Sequence, residues 1–158
     1  MSTNLEIHTK RCMIRRFKES DIDSFMEYRN DMDWMRHQGL KGLTKQKYAD
    51  ILLGEKSLKS GVQLAIVSKK NGDLIGDIYL KQEKDSCWIG YSVRQSEARQ
   101  GYAYESVNAT INYLKENGIK SIEAEVENSN YSSIKFLNKL KFNCVHSDQD
   151  RKIFVLHL

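Results

Sequence analysis

The chain has 158 residues, 40% of them apolar and 29% charged, which fits one globular domain over residues 1–158 and excludes a disordered or fibrous polypeptide. With 25 basic against 21 acidic side chains the net charge is +4, a mild attraction for anions that suits a polyphosphate as well as a nucleic acid. No run approaches the roughly 20 apolar residues that span a bilayer, so no membrane partner is expected.

The N-terminus, Met1-Ser2-Thr3-Asn4-Leu5-Glu6, lacks the basic-then-apolar order of a secretory signal, and a cytoplasmic location is expected. Leu5 to Phe17 alternates enough to predict one bent strand or two short ones. Ser20-Asp21-Ile22-Asp23 offers an N-cap and an acidic first turn to a helix whose apolar stripe is Ile22, Phe25, Met26 and Tyr28. A weaker helix is predicted from Thr44, with Tyr48, Ile51 and Leu52 inward. Between the two, Asp31 to Gly42 reads as an exposed loop that carries Trp34, Met35, Arg36 and His37, side chains suited to recognition.

Val62 to Ser68, Leu74 to Lys81 and Cys87 to Val93 read as an antiparallel meander with an Asn71-Gly72 turn, and Cys87, Ile89, Tyr91 and Val93 share one face. After Gly101, the spacing of Ala103, Val107, Ile111 and Leu114 predicts a helix that stops at Asn117-Gly118. Ser121 to Glu127 is a strand with Ile122, Ala124 and Val126 on one face and Glu123, Glu125 and Glu127 on the other. A helix over Tyr131 to Leu140 and strands over Phe142 to His146 and Lys152 to Leu158 complete a mixed α/β domain around one sheet.

Tyr91 to Glu105 reads as a strand, a polar loop, a glycine and a helix. Backbone N–H groups of Arg99, Gln100, Gly101, Tyr102 and Ala103 can converge there on phosphate oxygens at the positive end of the helix, with Arg99 as a charged donor. The plain alternative is a turn whose glycine permits the bend. The stretch fits neither G-x-x-x-x-G-K-[ST] nor G-x-G-x-x-G, which leaves ATP and NAD poorly supported. Cys12, Cys87 and Cys144 are odd in number with no C-x-x-C, and His8, His37, His146 and His157 show no ligand spacing or partnered nucleophile. These features argue against a disulfide framework, a zinc site and Ser-His-Asp or Cys-His chemistry, and no metal is expected.

Ile89-Gly90-Tyr91-Ser92-Val93 followed by Arg99-Gln100-Gly101-Tyr102-Ala103-Tyr104-Glu105 resembles the acetyl-CoA motif of the GCN5-related N-acetyltransferases (GNAT). Asn130-Tyr131-Ser132-Ser133 through Leu140-Lys141-Phe142 resembles that family's N-x-x-S helix and the turn after it. With Lys10-Arg11 to Asp21 the likeness spans nearly the whole chain, and it is strongest to the branch of bacterial ribosomal-protein N-terminal (RimJ/RimL-like) acetyltransferases. Three positions depart from the pattern: Ala98, where glutamine or arginine is frequent; Lys141, where glycine is usual; and Leu137, where many relatives carry a tyrosine. Leu137 excludes a tyrosine acid at that position.

The resemblance implies an acyl-CoA N-acyltransferase fold of about seven strands with flanking helices. It implies an enzyme that moves acetyl directly from acetyl-CoA to a primary amine, on a protein N-terminus or a small molecule. It places pantetheine along Tyr91, Ser92 and Val93 and at Asn130, the phosphates at Arg99 to Ala103, Glu125 as base, Ser133 at the sulfur and a main-chain amide as oxyanion donor. Tyr91 is a third catalytic candidate, as a holder of water or of the amine, and Asp77 a weaker base. The plainer roles are a solvated face for Glu125, helix capping for Ser133 and core packing for Tyr91. Trp34, Arg36, His37 and the loop Ser147 to Arg151 are expected to select the acceptor. The rival function is a non-catalytic acyl-CoA-binding or sensing module; no nucleic-acid partner is expected, and the chain is expected to be a monomer or homodimer.

Overall fold

The molecule is described here by a computed structural model covering residues 5–158; the first four residues of the N-terminal reading lie outside that range. The opening segment forms two short strands, β1 (Glu6–His8) and β2 (Cys12–Arg16), paired antiparallel. Helix α1 (Ile22–Arg29) is preceded by a 3-10 turn over Glu19–Asp21, so Ser20 lies before the helix and Asp21 takes the N-cap position. The Asp21 carboxylate does not cap that helix. It accepts from the Lys18 amide at 2.7 Å and from both Arg15 terminal nitrogens at 2.8 and 3.1 Å, fixing the strand-to-helix corner.

Helix α2 (Lys45–Leu52) starts where Thr44 caps it by accepting from the Lys47 amide. Tyr48 and Leu52 are buried, but Ile51, predicted inward, is 38% exposed, because its position falls off the stripe that meets the sheet. Strands β3 (Val62–Ser68), β4 (Leu74–Glu83) and β5 (Ser86–Val93) form the antiparallel meander. Helix α3 (Tyr102–Glu116), β6 (Ser121–Glu127), α4 (Tyr131–Lys139), β7 (Asn143–Ser147) and β8 (Arg151–His157) follow. The eight described strands make one sheet in the order β1-β2-β3-β4-β5-β6-β8-β7. One strand beyond the expected seven comes from the split of the N-terminal segment.

Alternation along the strands divides the core between the two faces of the sheet. Phe17, Phe25, Tyr28, Tyr48 and Leu52 pack with Ala65, Val67 and Leu74 on the α1/α2 side, whereas Leu64, Ile66, Ile78 and Leu80 pack with Val107, Leu114 and Leu137 of α3 and α4. Between β4 and β5 the backbones come unusually close: a Cβ on Gly76 would overlap the Ser92 carbonyl oxygen and lie 2.9 Å from Val93 Cα, so only glycine fits. Asp77, next along β4, is fully buried and accepts from Tyr28, from Arg29 at 2.5 Å, from Gln63 at 2.7 Å and from Ser92 at 2.7 Å. Four donors on α1, β3 and β5 thus converge on one carboxylate.

Candidate active site

The parallel pairing of β5 with β6 lasts only from Ser86/Ser121 to Trp88/Glu123. Beyond it the strands diverge into a cleft lined by His37, Gln38, Gly90, Tyr91, Glu125, Glu127, Asn130, Ser133 and Arg151. Divergence deprives the Tyr91 and Val93 carbonyls of a partner on β6. Instead the Val93 carbonyl accepts from the Trp34 indole Nε1 at 2.8 Å and the Tyr91 carbonyl from Gln38 Nε2 at 3.3 Å. The loop read as exposed is therefore folded against the cleft, anchored by fully buried Met35, because those carbonyls need donors and the loop supplies them. Arg36 remains exposed and pairs with Asp33 at 2.9 Å, outside the set that lines the cleft.

Tyr91 and Ser133 meet across the cleft with their hydroxyl oxygens 2.5 Å apart. Burial pushes the Tyr91 phenol up to about 12, although the hydrogen bond with Ser133 works the other way. The Tyr91 ring also packs on Phe136, 4.8 Å between centroids. Capping of α4 falls to Asn130, whose side chain accepts from the Ser133 amide at 3.2 Å and leaves the Ser133 hydroxyl to face Tyr91. At the other end of α4, Lys141 adopts φ +72°, and the Lys141 and Phe142 amides donate to Asn138 and Leu137. This is the helix-ending turn that glycine usually makes, reached by a lysine at a cost of roughly 1–2 kcal/mol.

The carboxylates of β6 have different partners. Glu125 is exposed, with Arg151 Nε 3.7 Å away, while Glu127 lies 3.3 Å from His37 Nδ1. Of the loop Ser147 to Arg151, Arg151 reaches the cleft, and Asp148 folds the turn by accepting from the Asp150 and Arg151 amides at 2.8 Å each. Asp77 is held by its four donors outside the set that lines the cleft, and Ser92 spends its hydroxyl on Asp77, also outside that set.

At the far end of β5 the chain turns through Arg99 at φ +63° and Gly101 at φ +82° before α3 begins at Tyr102. Such left-handed residues set successive amides into a concave, anion-binding arrangement at the positive end of the helix. A Cβ on Gly101 would sit 3.3 Å from the Arg11 guanidinium, a tight contact that the end of that flexible side chain would have to yield. Sequence reasoning gave Arg11 no such place. Its guanidinium lies 4.2 Å over the Tyr102 ring and is tied to Glu105 at 2.7 Å, and Glu105 also accepts from the Arg11 amide at 2.8 Å and from Thr9 at 2.5 Å. Residues 94 apart in sequence meet here, and no local spacing signals it.

Burial would raise the Glu105 carboxyl, but its hydrogen bonds from Thr9 and Arg11 prevail and hold it below the ordinary range. A depressed carboxyl contributes stability above the unfolded pKa and loses it as pH falls through the folded one. The stability gap between wild type and Glu105→Gln, read by urea melts, should therefore be full at neutral pH and close in the acid range; a gap independent of pH would contradict this linkage.

Residues 11–143 match the family described as the acetyltransferase (GNAT) domain. The uncharacterized N-acetyltransferase p20 of Bacillus licheniformis is 28% identical over 86% of this chain and 81% of its own length. The ribosomal-protein-S5-alanine acetyltransferase of Vibrio fischeri superposes with TM-score 0.79 at 19% identity, covering 98% of this chain and 97% of its own. The spermidine N-acetyltransferase of Vibrio cholerae, solved with CoA and spermine, superposes with TM-score 0.80 at 12% identity over 92% of this chain and 95% of its own. Because the family match runs from the β1–β2 turn to the start of β7, it takes in both walls of the cleft and the glycine turn below it, and the chain belongs to the GNAT acetyltransferases, enzymes that use acetyl-CoA.

Proposed function

We propose that this enzyme acetylates a primary amine, on a protein N-terminus or a small molecule, in the cleft between β5 and β6. The observation that carries the reading is the divergence of those strands directly above the glycine turn, which aligns main-chain acceptors at Tyr91 and Val93 with a phosphate cradle at Arg99 to Ala103. Pantetheine amides can pair with these carbonyls, each of which has a second lone pair beside its bond to Gln38 or Trp34. Asn130 supports the same arm from the opposite wall.

The thioester supplies an activated acyl group whose sulfur leaves readily, its parent thiol titrating near 8.5. The protein's work is then positioning, polarisation of the carbonyl by a main-chain N–H and proton handling. A phenol at about 12 keeps its proton beside such a thiolate, so Tyr91, relayed through Ser133, donates a hydrogen bond to sulfur and does not surrender the proton. Glu125, exposed at the cleft edge, suits the approach of an ammonium group. Loss of one hydrogen bond to a charged group, worth roughly 1.5–3 kcal/mol, should lower kcat in Tyr91→Phe by about 10- to 100-fold. The assay follows thiol release with spermidine and a serine-terminated peptide as acceptors. An unchanged kcat would remove Tyr91 and Ser133 from the chemistry.

A further inference from the structure

We infer that His37, held by Glu127, takes the proton from the acceptor ammonium; the inference rests on the acetyl-transfer reading above. A primary amine is largely protonated at neutral pH and has no lone pair to offer until one proton leaves, so a proton acceptor belongs inside the cleft. Among the titratable groups that line it, Tyr91 is committed to Ser133 and keeps its proton, and Glu125 faces Arg151. His37 and Glu127 are left.

Their arrangement is that of an oriented base. The His37 side chain lines the cleft and is 24% exposed, with Nδ1 3.3 Å from Glu127 Oε1. With the carboxylate as acceptor, Nδ1 carries the hydrogen and Nε2 the lone pair; Nε2 has no hydrogen-bond partner among the described residues. The ring is also pinned along the chain, because Trp34 and Gln38, on either side of it, are bonded to β5, and Met35 is fully buried. His37 comes from the α1–α2 loop and Glu127 from the end of β6, so the pair exists only when the loop lies over the cleft.

In the reaction, one ammonium proton moves to Nε2, where Glu127 balances the imidazolium charge, and then to solvent. The freed lone pair forms the C–N bond as the C–S bonding pair departs with sulfur, and a second nitrogen proton ends on that sulfur. Ammonium and thioester thereby become amide, thiol and one released proton.

The test measures thiol release with spermidine and a serine-terminated peptide as probe acceptors, alongside acetyl-CoA affinity by calorimetry. His37→Gln should lower kcat/KM by roughly 100- to 10,000-fold with acetyl-CoA affinity kept, and should abolish the acidic limb of the pH–rate profile. Glu127→Gln should displace that limb. A His37→Gln rate within threefold of wild type, or the loss appearing in Glu125→Gln instead, overturns the assignment. An independent arm needs no acceptor: nitrogen NMR of the imidazole at alkaline pH should show hydrogen on Nδ1 in wild type, and hydrogen on Nε2 overturns the pair. Failure of the acetyl-transfer reading would appear elsewhere, as wild-type protein that releases no thiol with any amine, with the NMR result still deciding the pair.

Discussion

Gly101→Trp should abolish acetyl-CoA binding while leaving the fold in place. A Cβ at this position would already sit 3.3 Å from the Arg11 guanidinium, so an indole would crowd the turn proposed to hold the phosphates. Any side chain at φ +82° also meets backbone strain of roughly 1–2 kcal/mol, and Gly101→Ala supplies the control that carries the strain without the bulk. Calorimetry should show at least about a 100-fold loss of affinity for the tryptophan variant, equivalent to about 2.7 kcal/mol, and much less for alanine. Binding unaffected by tryptophan would place the phosphates elsewhere.

The largest stability loss should follow Asp77→Ala. Arg29 is 3% exposed at its side chain, its Nε has no partner among the described residues, and its charge is balanced by Asp77 at 2.5 Å. Removing the carboxylate strands that cation in the core and leaves Tyr28, Gln63 and Ser92 without their acceptor. Breaking one side of a buried pair costs about 3–5 kcal/mol. At roughly 2–4 °C per kcal/mol for a chain of this size, Tm should fall by about 6–20 °C. Ser92 ties the network to β5, so the loss reaches the wall of the cleft. A change below about 1 kcal/mol in urea melts would show that the network contributes specificity and little net stability.

What could be read from the sequence was what depends on local periodicity. The 3.6-residue spacing of Val107, Ile111 and Leu114 and the alternation of Ile122, Ala124 and Val126 placed α3 and β6 directly, and the glycine turn at Gly101 stood out because a strand and a helix flank it. The divergence of β5 from β6 was not legible, since parallel pairing joins residues across a whole helix. For the same reason Arg11 was missed at the glycine turn: its link to Glu105 is a tertiary contact with no spacing rule. The loop Asp31 to Gly42 misled because its polar composition describes solvent exposure on average, whereas here Trp34 and Gln38 satisfy carbonyls that the diverging strands leave open. Glu125 and Glu127 were indistinguishable by alternation, and only their partners, Arg151 and His37, separate them.

Turnover in the cleft is tested most directly by following thiol release from acetyl-CoA by the wild-type protein, with and without a panel of primary amines that includes spermidine and serine- and alanine-terminated peptides. Release should depend on an amine, with the acetylated product seen by mass spectrometry. Tight acetyl-CoA binding with no amine-dependent release from any member of the panel would refute acetyl transfer and leave a module that binds the acyl carrier without using it.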